Sequence, residues 1–331
     1  MRGKQKKSYY VSDVVERWLY LNEYQVSRAT HDKYEQLVQN YIEPYFREVS
    51  VEELDEEHLR AFYHEIHHQT GRTQKSLSQG NQRTIFMIIN HSLNYAYNSK
   101  LTEQQYTIRP HLSKSRNVVR VFSELDLKKL ELYAQNHWDC YSLAIMLAMF
   151  TGLRIGEICA LQWKDLDLKA GSLQVSKTVQ RLKVKENPAH PEGVTGSKKV
   201  SKTELVVSEP KSAASHRLLP LTESILCYLK TFPQREPDAF VLTNQAEKPM
   251  EPRTLQYHFK KILYDLNIPY LNFHCLRHTF ATRCVTMGCD VKTLSEILGH
   301  FDIKVTMEYY FHSSFEYKKQ QLEKISTLSQ N

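Results

Sequence analysis

Glycine and proline are both scarce, 10 and 11 in 331 residues. That excludes collagen-like, mucin-like and low-complexity architectures. No uninterrupted apolar run approaches the ~20 residues that a membrane-spanning helix needs. The longest candidate, Leu143 to Phe150, reads as a buried helix. The start, Met1-Arg-Gly-Lys-Gln-Lys-Lys7, is basic but lacks the apolar stretch of a secretory signal. A cytoplasmic chain with no membrane partner is expected. Cys140, Cys159, Cys227, Cys275, Cys284 and Cys289 include no CxxC pair, so neither a zinc ribbon nor a thioredoxin-like site is suggested. They read as reduced, packed thiols.

The phosphate-binding and nucleophile motifs of several enzyme classes are missing as well. There is no GxxxxGK(S/T) loop, no GxGxxG fingerprint and no GxSxG elbow. His274 and His278 have the i, i+4 spacing of a helical zinc pair, but His-Cys-Leu-Arg-His lacks the glutamate of a zincin. No carboxylate cluster suggests a two-metal nuclease. Neither metal nor cofactor is expected, and any phosphate chemistry must rest on cationic side chains.

Those cations are present. Lys and Arg number 44 against 37 Asp and Glu, a net charge of +7. Such an excess makes an anionic partner plausible without identifying one. The first hundred residues read as four helices. The first covers Asp13 to Leu21; the second carries Tyr34, Leu37, Val38, Tyr41 and Ile42 on one face. A capping box at Ser50-Val-Glu-Glu53 opens a third, and the fourth runs from about Gln82 to Asn98. From Thr107 to Asn117 the periodicity lapses into a polar, basic stretch, the best candidate for a linker. A second helical series follows, with strands at Ser172 to Val179, Thr203 to Val207, Arg217 to Leu221 and, briefly, Phe240 to Leu242. Lys183 to Lys202 reads as an exposed hairpin extension. The expected organisation is a basic tail (1–7), a helical domain (8–105), a linker (106–118) and a mainly α domain with a small antiparallel sheet (119–331).

Several local settings single out polar residues. Thr151-Gly-Leu-Arg-Ile-Gly-Glu-Ile-Cys-Ala-Leu161 places Arg154 just after Gly152, at the start of a helix that buries Ile155, Ile158 and Leu161. Phe273-His-Cys-Leu-Arg-His-Thr-Phe280 holds His274 and Arg277 three apart on one helical face. Leu298-Gly-His300 breaks another helix and projects a histidine, and Tyr309-Tyr310 follows ten residues later.

Taken in order, these blocks resemble the tyrosine recombinases of the lambda integrase type. TGLRIGEICAL, HCLRHTFAT and LGHFDIKVTMEYYFH are similar to the three signature blocks of that family, and the helical first domain resembles its core-site-binding domain. The likeness covers roughly 8–330, strongly after 119 and by architecture alone before it. It implies a metal-free, ATP-free exchange of DNA phosphodiesters through a 3′-phosphotyrosyl link. Arg154 and Arg277 would face the developing charge on the phosphate, His274 would accept the nucleophile's proton, and His300 would donate to the phosphate in its charged form. Lys211, at the turn of Glu209 to Pro220, would supply a proton to the leaving 5′-oxygen, with Lys198, Lys199 and Lys202 as rivals. Glu157 would orient the site, and Arg109, Lys114, Arg116, Lys198 and Lys199 would contact DNA. Tyr310-Phe-His312 fits the family's Tyr-x-His, which favours Tyr310 over Tyr309 as nucleophile.

The implied partners are double-stranded DNA and three further copies of the chain at synapsis, with an excisionase or a host DNA-bending protein as accessories. The preferred role is integration or excision of a mobile element or prophage. The alternatives are a type IB topoisomerase-like nicking–closing enzyme and a Xer-type chromosome resolvase. Replacing either arginine by alanine is expected to abolish cleavage and spare binding.

Overall fold

A computed structural model of the chain describes residues 9–68, 77–109, 119–184, 203–209, 213–233, 236–300 and 302–310, with positions 319, 322 and 323. The chain divides into two compact units near residue 116. Among the described residues, no helix is long and apolar enough to cross a membrane.

The first unit contains α1 (Val11–Leu21), α2 (Arg28–Leu37), α3 (Glu43–Phe46), α4 (Glu56–His68) and α5 (Gln79–Asn98). Val14, Trp18, Phe46, Phe62, Ile85, Phe86 and Ile89 fill its core. The pattern from Tyr34 to Ile42 predicts one continuous helix, but α2 gives way to a π turn over Val38–Ile42. Pro44 explains this: it has no N–H to return to the Asn40 carbonyl, so the last turn widens before α3 starts. The expected capping box at Ser50 forms only a turn, in which Ser50 Oγ accepts from Glu53 N at 3.2 Å. The cap of α4 is Asp55, whose carboxylate accepts from His58 N at 2.9 Å. Tyr106 and Ile108, at the start of the stretch read as a linker, belong to this unit. The Tyr106 hydroxyl donates to Leu54 O at 2.6 Å, and Asn90 exchanges two 2.8 Å bonds with the Ile108 backbone.

The second unit starts with α6 (Glu124–Asn136), α7 (Cys140–Thr151) and α8 (Ile155–Ala160). Apolar residues surround α7 on every side: Leu143 through Met149 are all buried. Asp139 caps it by accepting from Tyr141 N and Ser142 N. Among the described residues, five short strands follow: β1 (Leu166–Asp167), β2 (Ser172–Val175), β3 (Thr178–Lys183), β4 (Thr203–Ser208) and β5 (Arg217–Pro220). They form two antiparallel sheets, β1-β2-β5 and β3-β4. The single strand expected over Ser172 to Val179 is therefore broken at Ser176-Lys177, and each half pairs elsewhere. Phe240 to Leu242 is not a strand; Phe240 makes one isolated bridge to Gln162 inside a turn. The unit closes with α9 (Glu223–Lys230), α10 (Pro252–Asp265), α11 (His274–Thr286), α12 (Val291–Leu298) and α13 (Ile303–Tyr310). The architecture is mainly helical with small antiparallel sheets, as expected.

Candidate active site

The site is built on two helix ends. Gly152 closes α7 at φ 65° and Gly299 closes α12 at φ 63°, the left-handed geometry that strains any residue with a Cβ. Space excludes a side chain too. A Cβ at Gly152 would lie 2.5 Å from the Phe280 ring, and one at Gly299 would lie 3.1 Å from the Ala214 carbonyl oxygen.

The α12 carbonyls can be followed one by one. Ser295 O accepts from His300 N and Glu296 O from Gly299 N, both at 3.0 Å, the two bonds of a Schellman closure. The next three carbonyls each receive an arginine from elsewhere in the unit. Ile297 O accepts from Arg217 Nε at 2.7 Å, Leu298 O from Arg277 Nη2 at 2.6 Å, and Gly299 O from Arg154 Nη2 at 3.1 Å. A helix C-terminus leaves its last carbonyls unpaired and carries partial negative charge, so it gathers cations. Arg277 also donates to Gly152 O at 2.8 Å, which ties the α7 break to the α12 break.

Glu157 organises the cluster from the other side. Its Oε1 accepts from Arg154 Nη1 at 2.8 Å and Arg217 Nη1 at 3.1 Å; its Oε2 accepts from Arg154 N at 2.9 Å and Arg217 Nη2 at 3.0 Å. Burial alone would raise the carboxyl pKa, but the hydrogen bonds and charge of Arg217, then the charge of Arg154, hold it below its usual value. Three guanidiniums against one carboxylate leave a net positive centre. Arg277, Arg217 and Glu157 are buried, while the Arg154 side chain keeps 35 % of its surface open. Arg154 is the member that an incoming anion can reach.

The two predicted histidines adjoin this centre. His300 Nδ1 shares a 2.8 Å hydrogen bond with the hydroxyl of buried Thr306 on α13. Desolvation, followed by Arg277, Arg154, Arg217 and His274, lowers the His300 pKa to about 3. His274 stacks edge-on against His278, ring centroids 4.7 Å apart. Although part of His274 is open to solvent, desolvation and then His278, Arg277 and Arg154 lower it to about 4. Both rings are therefore neutral at pH 7. In the DNA-free chain this disfavours the charged form that the resemblance implies for His300: burial, and then the arginines that make the site attractive to phosphate, oppose a further positive group.

A stability profile follows. The unfolded chain takes up protons on these imidazoles near pH 6.5, whereas the folded chain resists until about 4 and 3. Between those values the unfolded state holds more protons, so stability is complete above about 6.5 and drains away as pH falls. The slope is at most about 1.4 kcal/mol per pH unit for each ring, less for the solvent that reaches both. Melting temperature from pH 7.5 to 4 at constant ionic strength should fall, and a His274→Gln/His300→Gln variant should flatten the decline. An equal slope in the variant would show that other groups carry it.

Of the remaining predicted residues, Tyr310 is the last position of α13, one turn beyond Thr306. Lys211 lies outside the described residues, as do Lys114, Arg116, Lys198, Lys199 and Lys202; Arg109 is exposed at the end of the helical unit. Sequence reasoning missed Arg217 and Thr306. Arg217 did leave a signal: it shares the inward face of β5 with Leu219, a charge where the alternation calls for an apolar residue. Among the described residues, no group of three metal-ligating side chains is assembled.

Comparison with known proteins decides the family. Residues 126–317, more than half the chain, match the phage integrase family, and residues 10–67 match the phage integrase N-terminal SAM-like domain. The chain belongs to the phage integrase family. A XerC-like tyrosine recombinase of Caldanaerobacter subterraneus is 27 % identical over 96 % of this chain and 83 % of its own length. The integrase of Staphylococcus phage L54a is 28 % identical over 56 % of this chain and 51 % of its own. The Tn1549 transposon integrase, solved in complex with a circular intermediate DNA, superposes with a TM-score of 0.72 at 18 % identity, covering 96 % of this chain and 99 % of that one. As a member of this family, the protein is a tyrosine-type site-specific recombinase.

Proposed function

We propose that this recombinase integrates or excises a mobile element or prophage by cleaving and rejoining double-stranded DNA at Tyr310. The observation that carries the reading is the arginine cluster at the α12 terminus, in which Arg154 alone is open, next to the helix that bears Tyr310. In the first step the Tyr310 oxygen bonds to phosphorus and the bond to the 5′-oxygen breaks. Neutral His274 accepts the phenolic proton, and Lys211 protonates the leaving 5′-oxygen. Arg154 binds a non-bridging oxygen while buried Arg277 supplies field. With Nδ1 accepting from Thr306, His300 keeps its Nε2–H for the phosphate. Attack by a partner strand's 5′-hydroxyl reverses these transfers. One phosphodiester replaces another, so the exchange needs no ATP.

DNA is the partner, and the Tn1549 likeness supports this. Two protomers per site and a tetramer at synapsis, in the cytoplasm, complete the reading. Arg109, Lys114, Arg116, Lys198 and Lys199 would add phosphate contacts; excisionase or DNA-bending accessories belong to the same proposal. The XerC-like relative supports a second role, resolution of chromosome dimers. The Lys183 to Lys202 extension favours the element, because this region is short in compact resolvases.

The test begins with a randomised duplex library from which the unmutated protein selects its site in chelator. A nick beside the scissile phosphate of the selected duplex then traps the intermediate. A covalent protein–DNA band on denaturing gels is expected, and its absence would remove the phosphotyrosyl reading. Junction sequencing in cells separates the roles: element ends joined to a target support integration, and exchange confined to one chromosomal site supports resolution.

A further inference from the structure

Arg217 is a buried arginine that takes part in none of the steps above, yet it makes more polar contacts than its place on a short strand requires. Its fork meets both oxygens of Glu157 at 3.1 and 3.0 Å, its Nε reaches Ile297 O at 2.7 Å, and Nη1 also reaches Ser215 O at 3.2 Å. Only 6 % of its side chain is exposed. A guanidinium removed from water this fully needs such partners, and its planar fork matches a carboxylate.

The charge arrangement gives these contacts a purpose. Glu157 has two cations, the open Arg154 and the buried Arg217, so the trio carries one net positive charge. With Arg154 as its only partner, the carboxylate would neutralise it and draw it inward. With Arg217 supplying two of the four bonds to the carboxylate, Glu157 can hold the Arg154 backbone N–H and one Nη while the guanidinium keeps net charge for a phosphate.

We infer that Arg217 is a positioning residue for strand cleavage, acting through Glu157 to hold Arg154 charged and aimed at the scissile phosphate. The role rests on the proposed reading of Arg154. Arg217 also grips the turn at Ser215 and adjoins Gly299.

Single-turnover cleavage of the nicked, selected duplex by saturating full-length protein tests this, because the rate constant and the amplitude report different things. Loss of folded protein lowers amplitude and melting temperature and leaves the rate constant alone. Arg217→Met is expected to lower the rate constant at least about tenfold, with DNA affinity within about threefold. Glu157→Gln in the same chain removes the orphaned carboxylate and restores one net positive charge. The double variant should therefore cleave faster than R217M, a non-additivity that a strut would not show. Arg217→Lys keeps the charge but not the fork, and should fall between R217M and the unmutated protein. Should R217M yield no folded protein, R217K carries the test: a reduced rate constant at full amplitude supports the role.

An unchanged rate constant, or a double variant no faster than R217M, would overturn the positioning role and leave the recombinase reading standing. No adduct from the unmutated protein would remove that reading and this role with it.

Discussion

Tyr310→Phe is expected to bind the selected duplex with unchanged affinity and to form no covalent adduct. The substitution keeps the ring and the helix propensity and removes one oxygen, the atom that would bond to phosphorus. A free tyrosine, pKa ~10, is ionised about once in a thousand molecules at pH 7. The proposed reaction therefore needs a proton acceptor and a positive field, and on that reading the neutral His274 and the arginine cluster would supply them. Tyr309→Phe should still cleave. Positions 306 and 310 lie one turn apart on α13, and Thr306 is bonded to His300; the choice of 310 rests on the match of Tyr310-Phe-His312 to the family's Tyr-x-His. Peptide mapping of the trapped adduct locates the link. An adduct on Tyr309 would overturn the register and leave the chemistry intact.

Arg154→Ala should lower the single-turnover rate constant by about 10²–10³, the typical effect of losing one preorganised donor to a developing oxyanion. Affinity should change by only a few fold, because one partly exposed charge among many phosphate contacts is lost. Glu157 keeps Arg217 as its partner, so the fold survives. Arg277→Ala is expected to differ, and its burial argues against the sequence-based expectation that either arginine can be removed cleanly. Arg277 is 2 % exposed and serves the carbonyls of Gly152 and Leu298. Its removal leaves two buried acceptors unpaired beside a cavity, a destabilisation of roughly 2–5 kcal/mol. Cleavage, melting temperature and binding should all fall. Equal losses of cleavage and binding in Arg154→Ala would make that arginine a DNA grip with no part in the chemistry.

The two arginines thus share a motif class and differ in environment. Reading them apart requires knowing what each guanidinium touches. Arg154 meets Gly299 across 145 residues of sequence and Arg277 meets Gly152 across 125. No local pattern announces such pairs.

What could be read from the chain alone was what short-range rules govern. The apolar faces of α1, α4 and α5 follow helical periodicity, and the Gly152 and Gly299 breaks follow from left-handed caps. The ordered blocks that hold Arg154, His274, Arg277, His300 and Tyr310 carried the resemblance to the family. Boundaries failed where two local signals competed, as at Ser50 against Asp55, or where Pro44 forced a wider turn on an otherwise regular pattern. The tertiary structure alone decided the electrostatics. The carbonyls of Ile297, Leu298 and Gly299 bring three arginines from distant segments to one helix end, Glu157 divides itself between two of them, and burial, followed by the surrounding positive charge, lowers the pKa of both histidines. Coulomb energy and desolvation depend on distances in the folded chain, so the protonation of His300, the burial of Arg277 and the place of Arg217 existed only once the fold had formed.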